Sequence, residues 1–433
     1  MEKRLKLTPT AGFIPDVTCD SPPGSLSPKE RSYLIELAKK VAEIAHLPEQ
    51  RQKAAIWKRH NILMDNRPTL LVFPEDSWFQ MLDIRDLTVS DPYWKQWEWY
   101  LKHLIYRHER LHDDFVIKPE IPVPSVIHIG NWGLDIKHHK VSSDGAYSWD
   151  PPIKEERDIE LLKYPSIRID REATAGTLDA VGELFDDILP VKPQCGTRID
   201  ANVVGAAAAF RGMEQIMLDM YDRPDWLHRF LNFFTDGYLR QIDYLESEGL
   251  FTLNNENQYT DAGGLGYTTE LPAAGFDGEH VRTEDLWIHA AAQEYSEVSP
   301  WHHEEFGLDY QMKITQRYGL VAYGCCEPYT SKFDMVKKIP NLRRVSVSPW
   351  CDVDIAAQAL ENKYIFSYKP NPAYLATRLD EDFIRKDIRR MLDATRECVA
   401  EIILKDTYTI ENQPDRIERW IAIVREEIDR IYS

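Results

Sequence analysis

Short apolar runs alternate with longer stretches whose apolar positions fall at helical spacing, and this rhythm carries through most of the chain. Residues 27–63 read as helical, with Leu34, Leu37, Val41 and Ile44 on one face and Pro28 near the start. The first apolar run, 69–74, is followed by an aromatic-rich helical stretch at 93–112. Further strand-like runs fall at 126–129, 166–170, 188–191 and 251–253, with helical segments at 176–185, 210–221 and 224–250. The C-terminal half continues with runs at 285–289, 320–323, 344–347, 364–367 and 401–404, separated by helical segments such as 304–318. Alternating β and α units imply a parallel sheet with right-handed crossovers. About eight such units predict an α/β fold of the (β/α)8 TIM-barrel kind over residues 68–433, with residues 1–67 as an N-terminal helical extension. An open dinucleotide-binding sheet is the weaker expectation: Gly263-Gly264-Leu265-Gly266 lacks the GxGxxG spacing and a following helix.

Composition narrows the class of partner. A formal charge of -19 over 433 residues would repel nucleic acid phosphates and an anionic membrane surface. No apolar run is long enough to span a bilayer, and the charged start, Met1 to Leu7, has no apolar signal core behind it. Six cysteines at uneven spacing do not form a disulfide framework, so reduced thiols and a cytoplasmic location are expected.

In a barrel of parallel strands the chemistry gathers at the C-terminal ends, so the residues just past each apolar run become candidates. Cys325-Cys326-Glu327 closes the run at 320–323. Two thiols and a carboxylate there suit zinc, or a thiol nucleophile with a nearby acid; buried cysteines that merely pack are the plain alternative. Other strand ends supply Glu256 and Asn257, Gln293, Trp350 with Cys351 and Asp352, Lys369, and Lys405-Asp406-Thr407. Expected catalytic groups are Glu327, Gln293, Glu256 and Asp352, lining one cavity with Cys325 and Cys326. Expected substrate contacts are Asn257, Tyr323, Trp350 and Lys369, with Trp78, Trp132, Tyr259 and Tyr267 as further aromatic wall or as core. His289, inside an apolar run, is a metal ligand or general base if its ring faces inward. His302-His303-Glu304-Glu305 reads as a solvated helix start and does not match HExxH.

Several segments together resemble the uroporphyrinogen decarboxylase superfamily, in its methyltransferase-like branch. The resemblance is carried by Phe210-Arg211-Gly212-Met213-Glu214, by residues 219–225, by Ala292-Gln293-Glu294 with Ser299-Pro300, by Tyr323-Gly324-Cys325-Cys326-Glu327, by residues 346–350 and by Lys405-Asp406. It covers clearly about half of the chain, from residue 210 onward. It implies a (β/α)8 barrel that moves a methyl group between a small substrate, a corrinoid protein and a thiol or folate acceptor, with zinc held by His-x-Cys and a later Cys. Two departures are visible. Tyr323-Gly324-Cys325 stands where the thiol methyltransferases have His-x-Cys, and Lys405-Asp406-Thr407 stands where they have the last cysteine. Residues 62–78 hold a single arginine, Arg67, in place of the decarboxylases' arginine-rich stretch.

The expected activity is therefore transfer of a methyl from a small methoxy- or methylamine-type substrate to a corrinoid carried by a partner protein. Zinc would bind through Cys325 and Cys326, with Glu327, Cys351 or His289 completing the set. The alternative is a lyase acting on a carboxylated substrate gripped by Arg168, Arg198 and Lys369. The oligomeric state is open, with a homodimer among the options.

Overall fold

The computed structural model describes residues 23–140, 147–197, 200–260 and 263–432. Its twelve strands are β1 (Thr69–Val72), β2 (Ile121–Pro124), β3 (Ile127–Ile129), β4 (Lys137–Lys140), β5 (Tyr147–Asp150), β6 (Ile167–Ile169), β7 (Val191–Gln194), β8 (Trp287–Ala290), β9 (Leu320–Tyr323), β10 (Leu342–Val347), β11 (Ile365–Tyr368) and β12 (Val399–Leu404). Six of them form one parallel sheet in the order β1-β12-β11-β10-β9-β8. Helices cross over between its successive members, for example Val353–Leu360 between β10 and β11 and Glu381–Ala394 between β11 and β12. The chain is thus a mixed α/β protein built on a six-stranded parallel sheet.

Both outer strands of that sheet are covered by polar groups. At β1, Leu70 N donates to Asp114 Oδ2 (2.7 Å), Val72 N to Asp113 Oδ2 (3.1 Å), and Asp114 N to the Leu70 carbonyl (2.8 Å). At β8, the Asn254 side chain accepts from Trp287 N (2.8 Å) and donates to Trp287 O (2.9 Å), while Ala201 N reaches the His289 carbonyl (3.0 Å). Exposed strand edges invite stray pairing, and these groups occupy both. Apart from the main sheet, β2 and β7 pair in parallel, and β3–β6 and β4–β5 pair antiparallel.

Several sequence expectations are corrected here. The runs at 126–129 and 166–170 form β3 and β6, which pair with each other and lie outside the parallel sheet. The run at 251–253 forms no strand; its neighbour Asn254 docks on β8 through its side chain instead. The helical stretch 27–63 is two helices, Pro28–Ala45 and Pro48–Asn61. Pro48 lacks the N–H a continuous helix would need, so a second helix starts there. The first carries a capping box: Ser27 Oγ accepts from Glu30 N (3.3 Å), and the Glu30 carboxylate accepts from Ser27 N (2.9 Å).

Strand alternation sets two faces. On β10 and β12, Val345, Val347, Ala400, Ile402 and Leu404 pack with the surrounding helices in the main core. The opposite face is polar yet buried: Arg344 and Ser346 on β10, Ser367 on β11, and Glu401 on β12, with Ser346, Ser367 and Glu401 on neighbouring rungs. Toward the N-terminal ends of the strands this polarity is neutralised by the helix Pro48–Asn61 and the loop after it in space. Glu401 takes Arg344 Nε at 3.0 Å, His60 Nε2 at 3.2 Å and the Gly264 amide at 2.9 Å. Asn61 accepts from Arg344 Nη2 (2.6 Å) and donates to the Leu265 carbonyl (2.8 Å). A Cβ on Gly263 would lie 2.0 Å from Glu401 Oε1, so the glycine-rich segment serves close approach to a buried carboxylate.

Candidate active site

At the C-terminal ends of β9, β11, β12 and β1 the polar face opens into a cluster of thiols, lysines and carboxylates. Cys325 Sγ lies 3.5 Å from Cys326 Sγ and accepts a hydrogen bond from Lys405 Nζ at 3.2 Å. Cys326 is exposed, and its Sγ is 3.6 Å from Asp406 Oδ2. Lys405 Nζ lies 3.6 Å from that same carboxylate oxygen. On the neighbouring strand end, Glu75 Oε1 accepts from Asp406 N at 3.4 Å. Lys369, just past β11, is buried and donates to Ser367 Oγ (2.7 Å) and the Ser367 carbonyl (3.1 Å).

The loop that carries the thiols is held by Glu327. This carboxylate is fully buried; Oε2 accepts from Cys325 N at 2.9 Å, and Oε1 accepts from Ala292 N at 3.1 Å and from the Tyr329 hydroxyl. It ties the loop after β9 to the loop after β8. Ser346 Oγ adds a donor to the Cys325 carbonyl at 2.7 Å. Gly324 turns at φ +97, and a Cβ there would sit 2.6 Å from the Tyr329 ring. Only glycine adopts that conformation without strain, so Gly324 sets the direction in which Cys325 leaves the strand. Asp406 (φ 58) and Glu75 (φ 51) are also left-handed, a costly state for non-glycine residues that concentrates at functional sites.

The charges act on one another. The Cys325 thiol is brought down to about 7, first by the hydrogen bond from Cys326, then by the Lys405 cation, against the opposing effect of burial. Cys326 moves the other way, because it is the partner that keeps its proton. Burial works against the charge on Lys405, but Tyr259, Cys325 and Asp406 together hold it above its ordinary value. Burial brings Lys369 down to about 7, with Glu401 partly resisting. Glu75 is held above the usual carboxylate range by burial and by the charge of Asp406. Glu294 is raised in the same direction by burial, with Glu327 adding to it. The result is a thiol of lowered pKa beside an ammonium, with a second thiol and a carboxyl that are both raised next to them.

Of the residues expected from the sequence, Cys325, Cys326, Glu327 and Lys369 converge here. The single cavity expected to hold Gln293, Glu256 and Asp352 as well is not what the structure assembles. Glu256 is exposed and ion-paired with Lys118. Asp352 caps the helix Val353–Leu360, accepting from Asp354 N and Ile355 N at 3.0 Å each. Gln293 is exposed in a short turn after β8. Tyr323 points to the helix side, where its hydroxyl meets Gln311 (3.0 Å) and His303 (3.2 Å). Trp350 is 67% exposed, and Asn257 lies half-buried in the loop beside Glu256. Among the aromatics, Tyr259 reaches the site, acting on Lys405, its ring tilted at 46° to that of Phe73 with the centroids 4.4 Å apart. Trp78 is core, and Trp132 packs on Phe234. Arg168 is paired with Asp170, and Arg198 lies outside the described residues.

The donor set does not fit the expected zinc. Among the described residues no three His, Cys, Asp or Glu side chains form a group able to hold a metal ion. Cys351 is buried beside Thr330 Oγ1, 3.5 Å away, and His289 Nε2 donates to the Gly324 carbonyl at 3.1 Å. A carbonyl only accepts, so that nitrogen carries its proton and offers no lone pair. The positive charge next to Cys325 is the Lys405 ammonium. Lys405 and Asp406 stood among the strand-end candidates of the sequence but were given no role, and Glu294 stood there only within a motif of the resemblance. Glu75 gave no signal beyond following a strand.

No helix among the described residues is long and apolar enough to cross a membrane. No family model matches the sequence, and no curated protein matches it. Among solved structures the chain is similar to a methyltransferase from Methanosarcina mazei, at 10% identity and a TM-score of 0.41, over 76% of this chain and 84% of that one. A likeness of that size establishes neither a shared fold nor a shared activity.

Proposed function

We propose that the chain is a methyltransferase acting on a small methoxy- or methylamine-type substrate, with a corrinoid carried by a partner protein as the methyl acceptor. The observation that carries this reading is the raised carboxyl of Glu75 beside Lys405 and Asp406 at the strand lip. Displacing a methyl from oxygen or nitrogen leaves an electron pair on a poor leaving group, and a proton delivered there lowers the barrier. Glu75 keeps its proton to higher pH than an ordinary carboxyl and is placed to give it up. As the bond from methyl carbon to oxygen breaks, both electrons stay on oxygen, which takes the Glu75 proton. Lys405 stabilises the negative charge that develops before the proton arrives. The new bond to carbon is made from outside the chain, by the nucleophile on the partner. Glu327 positions the thiol loop and touches no reacting atom. The same proposal takes the six-stranded sheet as part of a (β/α)8 barrel spanning residues 68–433, with β2 and β7 lying between the two covered edges; the parallel pairing of β2 with β7 supports it.

A second reading, a lyase acting on a carboxylated substrate, is favoured by one feature: Lys369 and Lys405 lie on the same inner face within electrostatic reach of each other. Two lysines there could grip a carboxylate. The test offers a panel of methoxylated aromatics and methylamines with the corrinoid protein and follows the corrin absorption. Methyl transfer that falls on Glu75→Gln with little change in substrate binding supports the first reading. Absence of transfer, with CO2 released from a carboxylated substrate, replaces it by the second.

A further inference from the structure

Cys325 and Cys326 differ in every respect that matters to thiol chemistry. Cys325 is partly buried and has an ammonium 3.2 Å from its sulfur. Cys326 is exposed, and a carboxylate oxygen lies 3.6 Å from its sulfur. The sulfurs are 3.5 Å apart, and no other cysteine among the described residues joins them. An ammonium favours the thiolate, whereas a carboxylate disfavours ionisation of the thiol beside it and accepts its hydrogen bond. One member of the pair is set up to attack; the other holds its proton against an acceptor until the first is oxidised.

We propose that Cys325 and Cys326 form a peroxide-oxidisable pair that closes to a vicinal disulfide, independently of whether the protein transfers methyl groups. In the first step the Cys325 thiolate attacks the terminal oxygen of a hydroperoxide. A sulfur–oxygen bond forms, the oxygen–oxygen bond breaks, and the departing alkoxide or hydroxide takes a proton from Lys405, which solvent restores. Cys325 is now a sulfenic acid. In the second step Cys326 Sγ attacks the Cys325 sulfur while its proton passes to Asp406, the acceptor 3.6 Å away. The sulfur–sulfur bond forms, the sulfur–oxygen bond breaks, and hydroxide leaves as water with the proton held by Asp406. The two thiols lose two electrons and the hydroperoxide gains them. Adjacent residues have Cα atoms about 3.8 Å apart, below the usual disulfide span of about 4.4–6.8 Å, so the bridge is strained and readily reduced. That is the behaviour of a switch and not of a staple. Closure also removes the thiolate that Lys405 faces, so the charge balance of the lip changes with it.

The experiment treats the full-length protein with hydrogen peroxide and maps its peptides. The peptide holding both cysteines should lose the mass of two hydrogens, the count of free thiols should fall by two, and dithiothreitol should restore them. Cys326→Ser should halt at the first step, with dimedone adding to residue 325 alone. Asp406→Asn should slow ring closure about tenfold against dimedone capture. Unchanged thiols under peroxide, a bridge from either residue to another cysteine, or oxidation that only cross-links two chains would each overturn the proposal. Peptide mapping of the unsubstituted protein decides it even where a variant fails to fold.

Discussion

Lys405 Nζ stands 3.2 Å from Cys325 Sγ, although 80 residues separate the two in the chain. The pair exists because β9 and β12 belong to one parallel sheet and end on the same side. It sets a fixed cation against the Cys325 sulfur, which favours ionisation of that thiol.

Alkylation should report that pairing. With Cys325 brought down to about 7, its rate with iodoacetamide should rise between about pH 6 and pH 8 and level off above, whereas an ordinary thiol is half-ionised at about pH 8.5. Lys405→Met removes the cation, so the profile should move to higher pH and the rate at pH 7 should fall several-fold. Peptide-resolved mass spectrometry across pH checks this. An unmoved profile would mean that Cys326 alone sets the ionisation.

Metal analysis should find no zinc that depends on the thiols. Elemental content of the isolated protein should be the same in the Cys325→Ser/Cys326→Ser double variant as in the parent. One zinc per chain, lost in the double variant, would show that the lip rearranges to supply a third ligand.

Glu327 should behave as a pin. Glu327→Ala strands the Cys325 and Ala292 amides and the Tyr329 hydroxyl, at about 1–3 kcal/mol for each donor left buried and unpaired. A lowered Tm together with altered Cys325 alkylation is expected. Glu327→Gln keeps an acceptor oxygen and should lose less. Equal losses in the two variants would point to the carboxylate charge instead.

Gly324→Ala should cost about 1–3 kcal/mol from the left-handed backbone alone, with the Tyr329 contact adding to it. Thermal denaturation measures the loss, and the Cys325 alkylation rate tells whether the thiol has been displaced.

Glu401 ties acid stability to the buried face. Burial pushes its carboxyl up, but Arg344, His60 and Lys369 together bring it down to about 2 from 4.5. A carboxyl lower in the folded than in the unfolded state stabilises above the unfolded value. That contribution should be lost as pH falls from about 4.5 toward 2. Arg344→Met should leave the buried carboxylate without its guanidinium, held only by His60 and the Gly264 amide, at about 3–5 kcal/mol, and shift the acid transition to higher pH. Circular dichroism against pH, with and without the substitution, is the measurement.

What the sequence determined by itself is local. The pattern of apolar runs located β1 and β8 through β12 within a few residues, because most positions of a strand buried on both faces are apolar. Cys325, Cys326 and Lys369 were legible as site residues because each follows such a run. The tertiary structure decided the rest. The runs at 126–129 and 166–170 read like sheet strands, yet they pair with each other, since a three-residue apolar run carries no information about its partner. Tyr323 and Asp352 sit next to strand ends as the pattern promised. Alternation turns Tyr323 toward the helices, and the unpaired amides of a helix start claim Asp352. The polar lining also escaped the sequence. Arg344, Ser346, Ser367 and Glu401 lie inside strands that otherwise read as apolar, and their charges are tolerable only because His60, Asn61 and Gly264 arrive from far along the chain to meet them. Which cation meets which thiol is likewise a matter of register between distant strands, and no local pattern encodes it.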